Sequence, residues 1–295
     1  MHGILLIDKP PDVGSAEVVR RVKKFVKPAK VGHLGTLDPF ATGLLPILIG
    51  EATKIAQFLE HDDKYYAGII ALGAETDTLD RSGEVVRRAA VPALDAARLD
   101  EITAGFIGAF EQVPPVYSAI KRAGVPLYKL ARRGEQPEPA PPRTVHVKRL
   151  ELTIEGADRL RFSLQCATGM YVRALARDIG AALGSVAHLA ELRRLGTAGF
   201  SVDQATPMDE ALTILAERRI PPLVGLSEAL VQMARVEVDR ATQRRVRNGD
   251  ASALLEVVRM GQGTVKVLCD GALVAIAEIG AGRSINLLRV FGGSE

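Results

Sequence analysis

The sequence has only two cysteines among its 295 residues, which leaves little thiol chemistry available. Cys166 and Cys269 lie 103 positions apart, and neither belongs to a Cys-x-x-Cys pair. This spacing argues against a disulfide framework and gives no indication of a zinc knuckle. The five histidines are also scattered without metal-ligand spacing. We therefore expect no metal site.

Long apolar runs are also missing. No uncharged apolar stretch reaches the roughly 18 residues that a membrane-spanning helix needs. The first ten residues, MHGILLIDKP, reach Asp8 and Lys9 too early for a signal peptide. Internal repeats and low-complexity tracts are absent as well. We expect a soluble, cytoplasmic protein without a membrane partner, long enough for one large domain with an appendage or for two domains.

Charge is scarce in one loop. Residues 32–42, GHLGTLDPFAT, contain no Lys or Arg and one carboxylate, Asp38, although charged residues make up 25% of the chain. Asp before Pro often closes a turn or caps a helix, which is the alternative interpretation. The apolar run that follows, residues 40–50, favours a buried strand over a capped helix. Asp38 is therefore a candidate for chemistry, held by Gly-rich backbone and by Pro39.

Positive charge is concentrated in two windows. Residues 16–30 carry six Lys or Arg against one Glu, a net charge of +5, and residues 112–150 carry eight against two, a net charge of +6. Each window by itself fits a solvated surface. Together they favour a polyanionic partner, because local basic fields attract the phosphates of nucleic acids.

Hydrophobic periodicity indicates an α+β protein. Apolar runs predict strands at 3–7, 40–50, 65–72 and 84–86, and two more between 144 and 168. Helical spacing predicts helices after an N-cap at Ser15 and at 51–59, 94–106, 171–183 and 188–195. Past a Pro- and Gly-containing linker near residue 221, short β-type runs predict a small barrel: 254–258, 264–268, 273–279 and 285–290.

Residues 112–142 differ from the rest, with seven prolines, many bases and two tyrosines, Tyr117 and Tyr128. A basic loop with embedded aromatic rings suits a flexible arm that grips RNA, because such rings stack on unpaired bases. A surface excursion without a function is the alternative. We expect RNA contacts from four bases of this arm: Lys121, Arg122, Arg132 and Arg133.

Several segments, taken in order, resemble the TruB family of tRNA pseudouridine synthases. They are GILLIDKP at 3–10, GHLGTLDPFATGLLPILIGEATK at 32–54, DKYYAGIIALGAETDTLDRSGEV at 63–85, QVPPVYSAIKRAGVPLYKLARRGE at 112–135, and GMYVRALARDIG with HLAELRRL at 169–195. The resemblance covers roughly residues 1–225. Residues beyond that region are similar, more weakly, to the PUA-type RNA-binding barrel of the family.

The resemblance implies a mixed, largely antiparallel sheet flanked by helices, with a small C-terminal PUA-like β-barrel. We place a catalytic domain at residues 1–228 and the PUA-like domain at 229–295. The implied activity is conversion of uridine 55 in the tRNA T loop to pseudouridine, with base flipping, an aspartate-dependent mechanism and no metal or organic cofactor. The implied partner is the tRNA T stem-loop. A monomer without guide RNA or protein partner is expected.

Seven residues occupy matching positions of the family motifs. The resemblance makes Asp38 the catalytic aspartate, Tyr66 the ring that stacks on the target base, and Arg173 the cationic partner of Asp38. Substrate-binding roles follow for four others: Leu192 lines the pocket, His33 fills the place that the base vacates, Lys9 supports the Asp38 loop, and Tyr171 contacts the flipped nucleotide.

Two other functions fit the same features. A non-catalytic RNA-binding or RNA-folding protein would also use the basic windows and the C-terminal barrel, and it would bind RNA without forming product. A synthase of the related guide-RNA type would need a guide. The chemistry of Asp38 is open as well. A carboxylate could attack C1' of the sugar, attack C6 of the ring, or remove the 2' proton in a glycal route.

Overall fold

The computed structural model describes residues 1–59, 63–118, 120–122, 124–127, 130, 133, 135, 138, 140–258 and 262–292. The strands, in chain order, are β1 Gly3–Lys9, β2 Val31–His33, β3 Thr42–Ile49, β4 Lys64–Leu72, β5 Ala74–Thr76, β6 Val85–Arg88, β7 Gly108–Gln112, β8 Lys121–Arg122, β9 Val125–Pro126, β10 Arg143–Ile154, β11 Arg159–Cys166, β12 Ala187–Thr197, β13 Phe200–Ser201, β14 Thr206–Pro207, β15 Ala234–Glu237, β16 Gly263–Cys269, β17 Ala272–Ile279 and β18 Ile285–Val290. The α-helices are α1 Ser15–Lys23, α2 Ala56–Leu59, α3 Ala96–Gly105, α4 Val172–Ala182, α5 Met208–Ala216, α6 Leu226–Ala229 and α7 Arg240–Arg247. Short 3₁₀ helices lie at Gly50–Lys54, Val202–Gln204, Ala251–Leu254 and Ala281–Arg283.

A large mixed sheet organises the molecule. Its strand order is β14-β1-β3-β12-β4-β11-β10-β7, with β2 added to β3 and β13 added to β12. The pairs β1–β14 and β3–β12 are parallel, and the other pairs are antiparallel. The predicted α+β class with a largely antiparallel sheet is therefore confirmed.

Strands β1 and β3 are buried on both faces, which explains their nearly continuous apolar sequences. In β1, Leu5 and Ile7 belong to a core beneath the helices, whereas Ile4 and Leu6 belong to a second core on the opposite face. Alternate residues of a strand point to opposite faces, so both sets must be apolar. The second core also includes residues of the C-terminal sheet, such as Ile276, and Phe291, which follows the last strand of that sheet.

Helices cover the first face of the sheet. Apolar residues of α1, α3, α4 and α5 all contribute to the core beneath it. The helices predicted at 94–106 and 171–183 are confirmed as α3 and α4, and the segment 51–59 is divided between a 3₁₀ helix and the short α2. Among the described residues, none of the helices has the length and apolar character that crossing a bilayer requires.

The helix predicted at 188–195 is wrong, because these residues lie in the central strand β12. Leu189, Leu192 and Leu195 recur at intervals of three, which imitates helical spacing. Two β-bulges, between Leu189 and Glu191 and between Arg194 and Gly196, interrupt the two-residue alternation that would have revealed a strand. Hydrogen bonding to β4 and β3 on either side overrides the local preference.

The C-terminal residues form a separate four-stranded sheet in the order β15-β16-β17-β18. Three of the predicted β-type runs are confirmed as β16, β17 and β18, and the fourth strand is β15. The run at 254–258 is not a strand: Leu254 is the last residue of the 3₁₀ helix Ala251–Leu254, and a turn follows. Within the described residues this sheet is open, with β15 and β18 at its edges, so the predicted closed barrel is not seen there.

Gly43 should be intolerant of substitution, since it lies where β3 meets β12. It has a φ of +98°, and a Cβ added there would lie 2.3 Å from the carbonyl oxygen of Arg194. Backbone strain and overpacking should lower the free energy of unfolding of Gly43→Ala by about 3 kcal/mol in urea denaturation. The control Gly156→Ala, whose Cβ would meet open space, should change it by less than about 0.5 kcal/mol. Equal stabilities would contradict this packing.

Candidate active site

A cleft of about 640 Å³ opens between the helix-covered face of the sheet and the loop that carries Asp38. Strand β4 contributes Tyr66, strand β12 contributes Leu192, and the start of α4 contributes Tyr171 and Arg173. His33 also lines this space. Six of the seven residues placed at the site by the sequence therefore meet around one cavity, and Lys9 lies beneath the loop.

The carboxylate of Asp38 is held by two parallel hydrogen bonds. Arg173 donates from Nε to Oδ2 at 2.8 Å and from Nη2 to Oδ1 at 3.2 Å. The Asp38 side chain is 33% exposed, whereas that of Arg173 is 6% exposed. The carboxylate thus faces the cleft while its cationic partner is buried behind it. This geometry does not support the turn or cap interpretation, since the carboxylate binds a guanidinium.

Arg173 is itself fixed by the protein. Its Nη1 donates to the carbonyl of Thr78 at 2.8 Å, and its Nη2 also donates to the carbonyl of Tyr117 at 2.9 Å. A second carboxylate, Asp80, lies 3.7 Å from Nε and is 6% exposed. A buried guanidinium with two acidic neighbours and two carbonyl acceptors has compensation for its lost hydration. It is therefore held in a fixed position next to Asp38.

Two buried side chains pin the backbone on either side of Asp38. Lys9 is fully buried, and its Nζ donates to the carbonyl of Pro39 at 3.1 Å as well as to two carbonyls of its own loop. Burial lowers the pKa of Lys9 to about 8, against the opposing effect of Asp12 and Asp38. On the other side, the Ser15 hydroxyl donates to the carbonyl of Leu37 at 2.9 Å and accepts from its amide at 2.8 Å.

The predicted capping role of Ser15 is wrong. Helix α1 begins at Ser15 and its N-cap is Gly14, which has no side chain to offer. The buried hydroxyl instead satisfies both backbone groups of Leu37, which is 22 positions away. The sequence correctly places the start of the helix near Ser15, but the contact of its hydroxyl with Leu37 depends on the tertiary fold.

Tyr66 lies in the wall of the cleft and is 8% exposed. Burial raises the pKa of its hydroxyl, and the Arg194 guanidinium opposes that rise. Arg194 is fully buried and donates to the carbonyls of Leu44 at 2.8 Å and Gly35 at 3.0 Å. It thus connects β12 to β3 and to the Asp38 loop, and it supports the ring that the cleft presents.

Sequence reasoning missed Arg194 as well as Asp80. The helix predicted at 188–195 gave no reason to single out Arg194, which is internal because it is buried on a bulged strand. Asp80 lies between the strands predicted at 65–72 and 84–86. The signal available was its place within the DTLDRSG run of the family resemblance.

His33 and Tyr171 stand at the rim of the cleft and are half-buried. Burial, and secondarily the Arg194 guanidinium, lowers the pKa of His33, so its imidazole is neutral at pH 7. Its Nδ1 is buried and has no hydrogen-bond partner among the described residues. The backbone amide and carbonyl of Tyr171 both bind the fully buried side chain of Gln112, at 2.9 Å and 3.2 Å.

The structure describes the first basic window in full and part of the second. The bases of α1 and the segment after it are mostly exposed, and the start of α1 lines the cleft. In the arm, Arg133 is exposed, Arg132 and Tyr128 lie outside the described residues, and so do the side chains of Lys121 and Arg122. Tyr117, at the root of the arm, lines the cleft and donates its hydroxyl to Asp77 at 3.1 Å.

Within the described part of the chain, no group of three or more His, Cys, Asp or Glu side chains is arranged to hold a metal ion. The charged groups that line the cleft include Asp38, Asp80, Arg173, Arg143 and Lys64. A rigid carboxylate beside a fixed cation, with an aromatic wall, can act on a flat, polar ligand as nucleophile or base.

Solved structures with similar architecture identify the fold. The structure described as a Cbf5-Nop10-Gar1 complex matches with a TM-score of 0.73 at 23% identity, over 98% of this chain and 84% of the matched chain. The structure of an H/ACA RNP bound to a substrate RNA containing 2'-deoxyuridine matches with a TM-score of 0.73 at 21% identity, over 99% and 86%. This chain therefore shares its fold with the matched chains of these two complexes.

Sequence comparisons identify the family. The model described as TruB family pseudouridylate synthase (N terminal domain) matches residues 23–172, and the model described as tRNA pseudouridylate synthase B C-terminal domain matches residues 173–221. The tRNA pseudouridine synthase B of Geobacter sulfurreducens is 40% identical over 99% of this chain and 100% of its own length. That of Xanthomonas axonopodis pv. citri is 44% identical over 84% and 81%. The chain belongs to the TruB family of pseudouridylate synthases.

Removing the Ser15 hydroxyl should destabilise the protein. Ser15→Ala leaves the amide and carbonyl of Leu37 buried without partners, which should lower the free energy of unfolding by about 1–3 kcal/mol in urea denaturation. The control Ser163→Ala removes an exposed hydroxyl that donates to Glu151 at 3.1 Å, and it should change stability by less than about 0.5 kcal/mol. If both variants unfold alike, Ser15 does not pin the loop.

Proposed function

We propose that this protein converts uridine 55 in the T loop of tRNA to pseudouridine. Membership of the TruB family and relatives named tRNA pseudouridine synthase B support the reaction and the substrate class. The position of the uridine rests on the resemblance of the sequence motifs. The observation that carries the proposal is the Asp38 carboxylate, bound on both oxygens by Arg173 and open to a cleft with an aromatic wall.

The reaction needs a group like Asp38. The C1'–N1 bond of uridine breaks, the uracil turns while bound, and C5 joins C1'; N1 ends with a proton, and C5 releases its hydrogen as a proton. No atom is added or lost overall. Attack at C1', attack at C6 and removal of the 2' proton all require an ionised carboxylate. Arg173 binds both oxygens of this carboxylate and fixes its direction.

A uridine in a folded RNA loop must leave its stack to reach Asp38, which costs a few kcal/mol. Tyr66 recovers part of that cost by offering a ring face, and Leu192 completes an apolar wall that limits water. Packing of the detached uracil against this wall keeps it in the cleft while it turns. Arg194, buried behind Tyr66, keeps the ring in position.

Residues at the rim would hold the RNA around the flipped base. His33 has a neutral imidazole and an unpartnered Nδ1, which suits it to occupy the place that the base leaves. Tyr171, fixed by Gln112, contacts the flipped nucleotide. Lys9 acts through the loop by holding Pro39 next to Asp38.

The rest of the chain extends the RNA contact. We assign residues 1–228 to a catalytic domain whose arm, 112–142, grips RNA, and residues 229–295 to a PUA-like RNA-binding domain. Helix α7 supports an RNA contact there, since it carries four arginines. The proposed enzyme is a cytoplasmic monomer that acts on tRNA without a guide RNA or a protein partner and without a cofactor.

Replacing Asp38 should separate binding from chemistry. Asp38→Asn keeps the shape of the side chain but removes the charge needed in every route, so turnover should fall at least about a thousandfold. Tritium release from 5-labelled uridine in an unmodified tRNA transcript measures this directly, because only isomerisation expels the C5 hydrogen. Filter binding should show that affinity for tRNA is largely retained.

The control is Asp100→Asn, which alters an exposed aspartate on α3 and should turn over like the wild type. Near-normal tritium release from Asp38→Asn would disprove the mechanism. RNA binding by the wild-type protein without any tritium release would instead indicate a non-catalytic RNA-binding protein.

The arm should contribute to affinity through phosphates. Reversing the charges of Lys121, Arg122, Arg132 and Arg133 to Glu should weaken tRNA binding and reduce the slope of log K against log salt by about 0.9 for each phosphate that the arm no longer neutralises. Binding titrations from 50 to about 200 mM salt measure the slope.

A matched control reverses four exposed arginines outside the arm: Arg88, Arg98, Arg218 and Arg219. These changes alter the net charge equally but should leave the slope closer to that of the wild type. Equal slopes for both variants would mean that the arm acts only through overall charge.

A further inference from the structure

We propose that Arg143 is a phosphate-binding residue, which holds a phosphodiester group of the RNA backbone next to the nucleotide in the cleft. The inference depends on the proposed function, since it assumes that an RNA enters beside Asp38. It adds a backbone contact to a site whose other residues act on the base and the sugar.

Arg143 differs from Arg173 and Arg194 because none of its nitrogens donates a hydrogen bond to an oxygen of the described residues. No hydrogen bond or ion pair links its guanidinium to any residue that the structure describes, and its Nε is buried without a partner. By contrast, all three nitrogens of Arg173 and two of Arg194 donate to protein oxygens at 2.8–3.2 Å, although Nη1 of Arg194 is likewise buried without a partner. A half-buried guanidinium without acceptors is costly unless a ligand supplies them.

The guanidinium is nevertheless held in place. Its Cζ lies 4.6 Å from the centroid of the Tyr171 ring, a stacked cation–π contact. Arg143 pairs in register with Gln112 across β10 and β7, and Gln112 binds both backbone groups of Tyr171. Tyr171 immediately precedes α4, on which Arg173 holds Asp38 two positions later. The position of Arg143 relative to Asp38 is therefore fixed by these contacts through Gln112, Tyr171 and Arg173.

A phosphodiester fits this arrangement better than other groups of an RNA. Stacking covers one face of the guanidinium and Nε is buried, which leaves the outer edge of Nη1 and Nη2 for two phosphate oxygens. The neighbouring acid, Glu111, pairs with Thr144 at the next position of the register, where side chains point to the opposite face of the sheet. The adjacent start of α4, an 11-residue helix, adds a favourable potential for an anion.

The test is a scan of neutral linkages. T stem-loop RNAs carry a single methylphosphonate, placed in turn at each linkage around the target uridine, and fluorescence anisotropy gives the Kd of each. Wild-type protein should lose roughly tenfold in affinity at one linkage, the effect of losing a charge-assisted hydrogen bond. Arg143→Gln should lose about as much on unmodified RNA and show no further loss at that linkage.

Arg161→Gln is the control, since it neutralises an exposed arginine of β11 that pairs with Glu155, and its scan should match that of the wild type. Should Arg143→Gln fail to fold, Arg143→Lys replaces it. That variant keeps the charge without the planar stack, so it should bind less tightly and still respond at the same linkage.

The inference is overturned if Arg143→Gln binds the unmodified RNA as tightly as the wild type does and loses affinity at the same linkage. Tritium release by the wild-type protein on the unmodified RNA, measured in parallel, distinguishes a failure of the phosphate contact from a failure of the proposed function. Release together with an unaltered scan refutes only the phosphate contact, whereas no release refutes the proposed function as well.

Discussion

The ion pair between Asp38 and Arg173 is the interaction on which the rest of the site depends. It joins two parts of the chain that are 135 positions apart, and it places a carboxylate at the surface of a cleft with its counter-charge behind it. Arg173 can do this because Thr78, Tyr117 and Asp80 surround its guanidinium. A carboxylate so placed has a fixed direction and a fixed counter-charge, while its side chain remains one-third exposed to the cleft.

The large sheet fixes the walls of the cleft around that ion pair. Strands β4 and β12 contribute Tyr66 and Leu192 to the wall of the cleft, and β3, which is buried on both faces, pairs with β12. This close packing makes the framework stiff. Lys9 and Ser15 extend this stiffness into the loop by holding Pro39 and Leu37. Asp38 and Arg173 are thus held in fixed positions, while His33 and Arg143, each with a buried nitrogen that has no partner among the described residues, line the cleft where a ligand arrives.

The sequence revealed the parts whose signals are local. Asp38 stood out because its loop lacks other charges, and the helix that carries Arg173 follows regular apolar spacing. Contacts set by tertiary folding could not be foreseen: the Ser15 hydroxyl binds a backbone 22 positions away, and Arg194 is internal only because β12 is a bulged central strand. The leucines of that strand imitate a helix, so its periodicity pointed to the wrong element.

The most direct test of the central claim is a crystal structure of Asp38→Asn bound to an unmodified T stem-loop RNA. The account predicts one uridine turned out of the loop, its ring against Tyr66 and its ribose facing the side chain at position 38, with Arg173 still behind it. An RNA bound on another face of the protein, with the cleft empty, would contradict the claim that this carboxylate acts on a nucleoside.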